Sequence, residues 1–250
     1  MSSTDNKSDD TSDLKKPDDA RNIADQLTDE QKNHAVQFLT TEHFTLQSAR
    51  SATISDSSSR ASLFMSTVSS SLIALAFVGQ MSELGTAFNA FALVLFPTLF
   101  FVGLVTFERT IQSGIEDMVY ASGINRIRHF YQELVPQTSK YFILSAHDDA
   151  KGTLTNMAAV PGWWQLFLTT ASTIMIVNSV LMGVFVALLV HVLVSFDLIW
   201  IVILGLAVFV VTVTLHHMYQ MKQWALSGER GKSIFPSESD QPQNKAEADH

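Results

Sequence analysis

The sequence predicts an all-α, polytopic membrane protein: four transmembrane helices arranged as two hairpins, with long cytoplasmic helical extensions of spans one and two. Three observations carry that prediction. Four apolar runs, 63–81, 86–107, 166–194 and 198–215, each reach the roughly 18 to 20 residues that cross a hydrocarbon core about 30 Å thick. A single such run could be a buried core helix, but four with essentially uncharged interiors read as membrane spans. All sixteen Lys and Arg lie outside these runs, and the short links 82–85 and 195–197 carry only an acid each, Glu83 and Asp197. The positive-inside rule then places both termini and the 108–161 connection on the cytoplasmic side.

Residues 1–27 are rich in Asp and Ser and too poor in apolar side chains to order themselves, so they read as an acidic cytoplasmic tail. Thr28 opens the first element: T-D-E-Q fits a capping box, with Gln31 reaching back to the cap. From Asp29 to Met81 the only helix breaker is Gly79, which predicts one helix from the cytoplasm through span one. Span two carries Pro97, an expected kink. Beyond Phe107 a helical period persists through Ile111, Ile115 and Met118, then Tyr120, Ile124, Ile127, Tyr131 and Leu134, until Pro136 ends it. Gly114 and Gly123 are expected bends. Residues 137–161 read as a loop with short helical turns, completing a unit of stalk plus hairpin over 28–162.

The second hairpin occupies 163–227. Trp163 and Trp164 at the start of span three, Trp200 at the start of span four and Trp224 beyond its end are placed for membrane interfaces. Residues 228–250 read as a second unordered cytoplasmic tail. The first residues lack the apolar stretch of a secretory signal, and the absence of cysteine excludes disulfides and thiolate metal sites. The net charge of −8 argues against nucleic acid as a partner.

Ser48, Ser51, Ser55, Ser58, Ser62, Ser66 and Ser69 recur at steps of three and four. On a helix they form one seam with the period of a left-handed supercoil. Small residues let helix backbones approach closely in lipid, where the hydrophobic effect cannot drive association. The expected use of the seam is packing within one protomer, against the 111–134 stripe. A homo-oligomer contact comes second, and a hydrated pore lined by Ser66, Ser69 and Ser70 third.

Candidate chemistry is thin. Gly231-Lys232-Ser233 resembles the end of a phosphate-binding loop, but Leu226 stands where its first glycine belongs and no strand precedes it. His147-Asp148-Asp149 and His216-His217 lack a second ligand pair at diagnostic spacing. Glu108 and Arg109 read as an ion pair or headgroup contact at the inner interface. Asn178, alone among strongly polar groups in mid-span, reads as an interhelical hydrogen bond. No catalytic group, cofactor or metal is expected.

The segments E-H-F-T-L-Q (42–47), A-R-S-A-T-I-S (49–55) and L-V-T-F-E-R-T-I-Q-S-G-I-E-D (104–117) resemble an uncharacterised family of small bacterial four-span membrane proteins, over about residues 40–145. The resemblance implies the topology and a bacterial inner membrane, and supplies no activity. The layout is also similar to two-span effector modules of bacterial nucleotide-signalling defence systems. The resulting expectation is a non-enzymatic module acting through helix packing and protein–protein contacts, as a scaffold or signal-responsive component. Its expected partners are membrane lipid, further copies of itself and a cytoplasmic protein bound through the stalk. An oligomeric pore or membrane effector is the alternative, and an integral-membrane enzyme ranks last.

Overall fold

The computed structural model describes residues 26–157, 169–194, 196–230 and 233–237, and every regular element among them is helical. Five α-helices follow one another: α1 (Asp29–Met81), α2 (Thr86–Leu134), α3 (Ala150–Asn156), α4 (Thr170–Leu193) and α5 (Leu198–Arg230). A 3-10 turn, Pro136–Tyr141, follows α2 where the proline sits. Four of the helices, all but α3, are long and apolar enough to cross a membrane. Trp163, Trp164, the first residues of the expected third span and most of both tails lie outside the described residues.

α1 starts from the full capping box: Thr28 Oγ1 accepts from the Gln31 N–H and Gln31 Oε1 accepts from the Thr28 N–H. The acids Asp29 and Glu30 add a favourable interaction with the positive end of the helix dipole. At the other end the chain turns through Glu83 and Leu84, both with positive φ (49° and 58°). Leu84 folds back to within 3.1 Å of where a Cβ on Gly79 would stand, so glycine admits this turn.

α2 is the central element, packed against α1 on one side and α4 on the other, while α5 packs against α4. The core combines Phe64, Val68 and Leu75 of α1 with Phe96, Leu99, Phe107 and Ile111 of α2 and Ile174, Met175 and Leu181 of α4. Burying an apolar side chain of this size contributes roughly 1.5–3 kcal/mol against water, a gain that applies only where water is the alternative. Within lipid, close contact must do the work, and α4 and α5 meet backbone to backbone. A Cβ on Gly183 would lie 2.7 Å from the Gly205 carbonyl oxygen.

α2 runs as one continuous helix through Gly114, Gly123 and Pro97. Both glycines serve packing. Gly114 admits the Trp224 ring and Gly123 admits Leu46, with would-be Cβ contacts of 3.3 and 3.0 Å.

Candidate functional site

The serine seam lies on the opposite side of α1 from its expected partner. All seven serines are exposed, and none makes a side-chain hydrogen bond among the described residues. The face turned to α2 is a second stripe, His43, Leu46, Arg50, Thr53, Ser57, Ala61, Phe64 and Val68, every one buried or half-buried. Its steps are also three and four, and at 100° per residue its centre lies about 140° round the helix from the seam. Arg50 pairs with Asp117 at 2.6 Å, and Thr40 meets the Tyr131 hydroxyl at 3.2 Å. The partner helix is thus the expected one, but packing of the seam within the protomer is not what the fold does. The physical reason is area: Leu46, Phe64 and Val68 offer apolar surface to bury, and serines do not. Exposed Phe44 (67 %) lies one turn before Ser48, at the polar end of the helix.

Asn178 is completely buried and makes the expected interhelical contact. Its Nδ2 lies 3.4 Å from Nε2 of His216 on α5. Nδ1 of His216 donates to the Thr212 carbonyl oxygen at 2.8 Å, which leaves Nε2 as the acceptor for Asn178. Gly103 on α2 makes room: a Cβ there would stand 2.1 Å from Asn178 Oδ1. The Phe107 ring packs edge-on against His216 with centroids 4.9 Å apart.

Glu108 and Arg109 do not pair with each other. Gln112 serves both, its Nε2 donating to Glu108 and its Oε1 accepting from Arg109, each at 2.8 Å. Consecutive residues on a helix point about 100° apart, so a neighbour one turn on is the easier partner.

The most elaborate polar construction lies beyond the apolar spans, at the end of α2. Asn125 donates to the His147 carbonyl oxygen, Arg128 donates to Asn125 and to the Ser145 carbonyl oxygen, and Asn156 donates to Asn125. These bonds fasten residues 145–156 onto α2. Asp149 caps α3 through the Gly152 N–H. The adjacent Asp148 and Asp149 then hold a segment of the C-terminal region. Asp148 accepts from Arg126, from the Ser233 hydroxyl and from the N–H groups of Ile234 and Phe235. Asp149 accepts from the N–H and hydroxyl of Ser237. The Phe235 ring stacks on His129 with centroids 3.8 Å apart.

The electrostatics follow from that geometry. Burial would push both carboxyls up, but the donors from the 233–237 segment, with Arg126 at Asp148 and Gly152 and His147 at Asp149, outweigh it and hold both below the ordinary carboxylate range. Burial, with His147 nearby, lowers His129 against the opposing effect of Asp148, and its Nε2 lies 3.3 Å from a Glu133 carboxylate oxygen. The region from 228 is therefore not simply an unordered tail: α5 continues to Arg230, and residues 233–237 are docked. The signal available in the sequence was Ile234-Phe235-Pro236, an apolar trio in polar surroundings.

A half-open cavity of about 790 Å³ lies where α1, α2, α3, α5 and this docked segment converge. Among the described residues no group of three His, Asp or Glu could hold a metal ion. The residues Gly231 and Lys232 lie outside the described residues.

Four apolar membrane-length helices and a polar, hydrogen-bonded end define a multi-pass helical membrane protein. No family model matches the chain, and no curated protein or solved structure matches it either.

Proposed function

We propose that this is a non-enzymatic, multi-pass protein of the bacterial cytoplasmic membrane that works through helix packing and protein–protein contact, as a scaffold or signal-responsive module. In this reading the spans form two hairpins, both termini are cytoplasmic, and the polar ends of α1 and α2 form a stalk in the cytoplasm. The first partner is a second copy of the chain, held along the outward face of α1. The observation that carries the reading is the exposed, unbonded state of all seven seam serines. Ser66 and Ser69 lie in a membrane-length apolar run, where a hydroxyl facing hydrocarbon is better placed against another helix. The supercoil period of the seam suits a like helix, and Phe44 supplies apolar bulk at the polar end.

The chain has no cysteine, so single cysteines report contacts cleanly. In native membranes, Ser55→Cys and Ser62→Cys are expected to give disulfide-linked dimers on mild oxidation, while inward-facing Ala61→Cys stays monomeric. Monomeric S55C and S62C, or equal cross-linking of A61C, would overturn the self-association reading.

A pore is the second reading, favoured by the outward placement of Ser66, Ser69 and Ser70. Ion flux on overexpression that is lost in Ser66→Leu/Ser69→Leu supports it. Unchanged flux in that variant excludes a pore lined by these residues.

A further inference from the structure

The contact between Asn178 and His216 puts an ionisable ring inside the bundle, on a membrane-length apolar helix. Asn178 is 0 % and His216 7 % exposed. An ionisable side chain in such a place is costly and is by default a functional position. Its hydrogen bonds fix how the ring is held. A carbonyl oxygen only accepts, so the 2.8 Å contact with Thr212 requires a hydrogen on Nδ1. Nε2 faces the Asn178 amide at 3.4 Å, and that amide can serve either charge state of the ring. A neutral ring accepts from the amide nitrogen. A protonated ring needs an acceptor, and the amide turned end for end offers its oxygen.

With the ring neutral, Oδ1 of Asn178 is buried and has no hydrogen-bond partner. A buried acceptor left unpaired costs about 1–3 kcal/mol, and a proton on Nε2 supplies the donor it lacks. The α2 backbone meets the far end of the amide at Gly103, and helix carbonyls keep a second lone pair that an amide N–H can use after the turn. Gln220, one turn along α5 on the same face, holds a further buried and unpaired oxygen, Oε1. Trp224, one turn beyond it, lines the half-open cavity. His216 thus belongs to a polar face that runs toward the polar end of the bundle.

Few other charges adjoin the ring. α2 brings Glu108 and Arg109, just after Phe107, and both are bonded to Gln112. α4 has no titratable side chain before His191, and α1 has none from Ala61 to Met81. α5 itself adds His217, Tyr219 and Lys222.

We propose that His216 is a proton-binding site within the bundle, with Asn178 as its positioning residue, donating through nitrogen to the neutral ring and accepting through oxygen from the charged one. The proton comes from water and takes the Nε2 lone pair, and no other covalent bond forms or breaks. Acidification then tightens the α4–α5 contact, because a hydrogen bond from a charged donor is roughly twice as strong as a neutral one.

Nitrogen NMR of the full chain in nanodiscs, labelled at histidine and asparagine, tests this. Between about pH 8 and about pH 5, the range in which imidazoles titrate, His216 is expected to pass from the Nδ1–H tautomer to the doubly protonated ring. Its signal is assigned by its absence from His216→Gln, and the Asn178 side-chain nitrogen is expected to shift with the same midpoint. Asn178→Leu is expected to weaken proton binding about tenfold, the margin of a charged over a neutral hydrogen bond. Asn178→Asp keeps an acceptor oxygen and is expected to restore it. A His216 ring that stays neutral throughout, an Asn178 nitrogen that does not move with it, or an unchanged midpoint in Asn178→Leu would overturn the proposal. The first two outcomes are read on the unsubstituted Asn178 side chain, so they stand even where the leucine variant misfolds.

Discussion

At the scale of single residues, the interior of the bundle is set by matched pairs of small and polar groups. Gly103 and Asn178 are such a pair, because the amide occupies the volume a methyl group would need. Gly103→Ala should therefore force Asn178 away from His216 and lower stability by about 1–3 kcal/mol, the usual range for overpacking. Thermal unfolding in detergent measures this, and an unchanged midpoint would mean that Asn178 has another place to go. Asp148 is a residue of a different kind, since its carboxylate is fully enclosed and serves four donors. Its folded-state pKa and that of Asp149 are depressed, so the stability they give the docked segment is present above the ordinary value of 3.8 and is lost as pH falls through the lowered one. The protection factors of the Ile234 and Phe235 amides should stay flat from neutrality down to about pH 5 and fall only in stronger acid. Asp148→Asn should expose the same amides at neutral pH, with a loss of about 1.5–3 kcal/mol expected for hydrogen bonds to a charged group.

At the scale of elements, α1 shows what local sequence can and cannot specify. The Thr28 box and the run to Met81 were legible, because caps and breakers act within a few residues. Thr28→Ala should fray only the first turn, at a cost of about 0.5–2 kcal/mol, read as faster exchange over residues 29–33. The buried face of α1 was not legible from its period, since the serine seam and the stripe through Leu46 and Phe64 both repeat every three or four residues. Only apolar area distinguishes them, and the polar stretch holds very little of it. The docked 233–237 segment was hidden for a further reason. Its partners are 85 to 88 residues away, and a five-residue segment is too short to give a periodic signal. Pairs such as Glu108 and Arg109 mislead in the opposite sense, because adjacency in the chain is not adjacency on a helix surface.

At the scale of the whole molecule, two hairpins would place the basic residues at one end of the spans and the acid-bearing links 82–85 and 195–197 at the other. If the former end is cytoplasmic, cysteines at Glu83 and Asp197 should react with a membrane-impermeant maleimide in intact cells, and one at Lys140 should react only after lysis. The reverse pattern would invert the protein and move the cavity and the docked segment to the outside. The spans, the link positions and the bundle's helical class were all legible because lipid imposes its length and charge rules on every segment separately. The cavity was not, because five separate stretches of chain build it.

The unbroken course of α1 has a mechanical consequence. Fifty-three residues of helix amount to a strut about 80 Å long, and no proline interrupts it. A twist applied near Leu46, where it borders the cavity, must emerge as rotation of the serine face along the same rod.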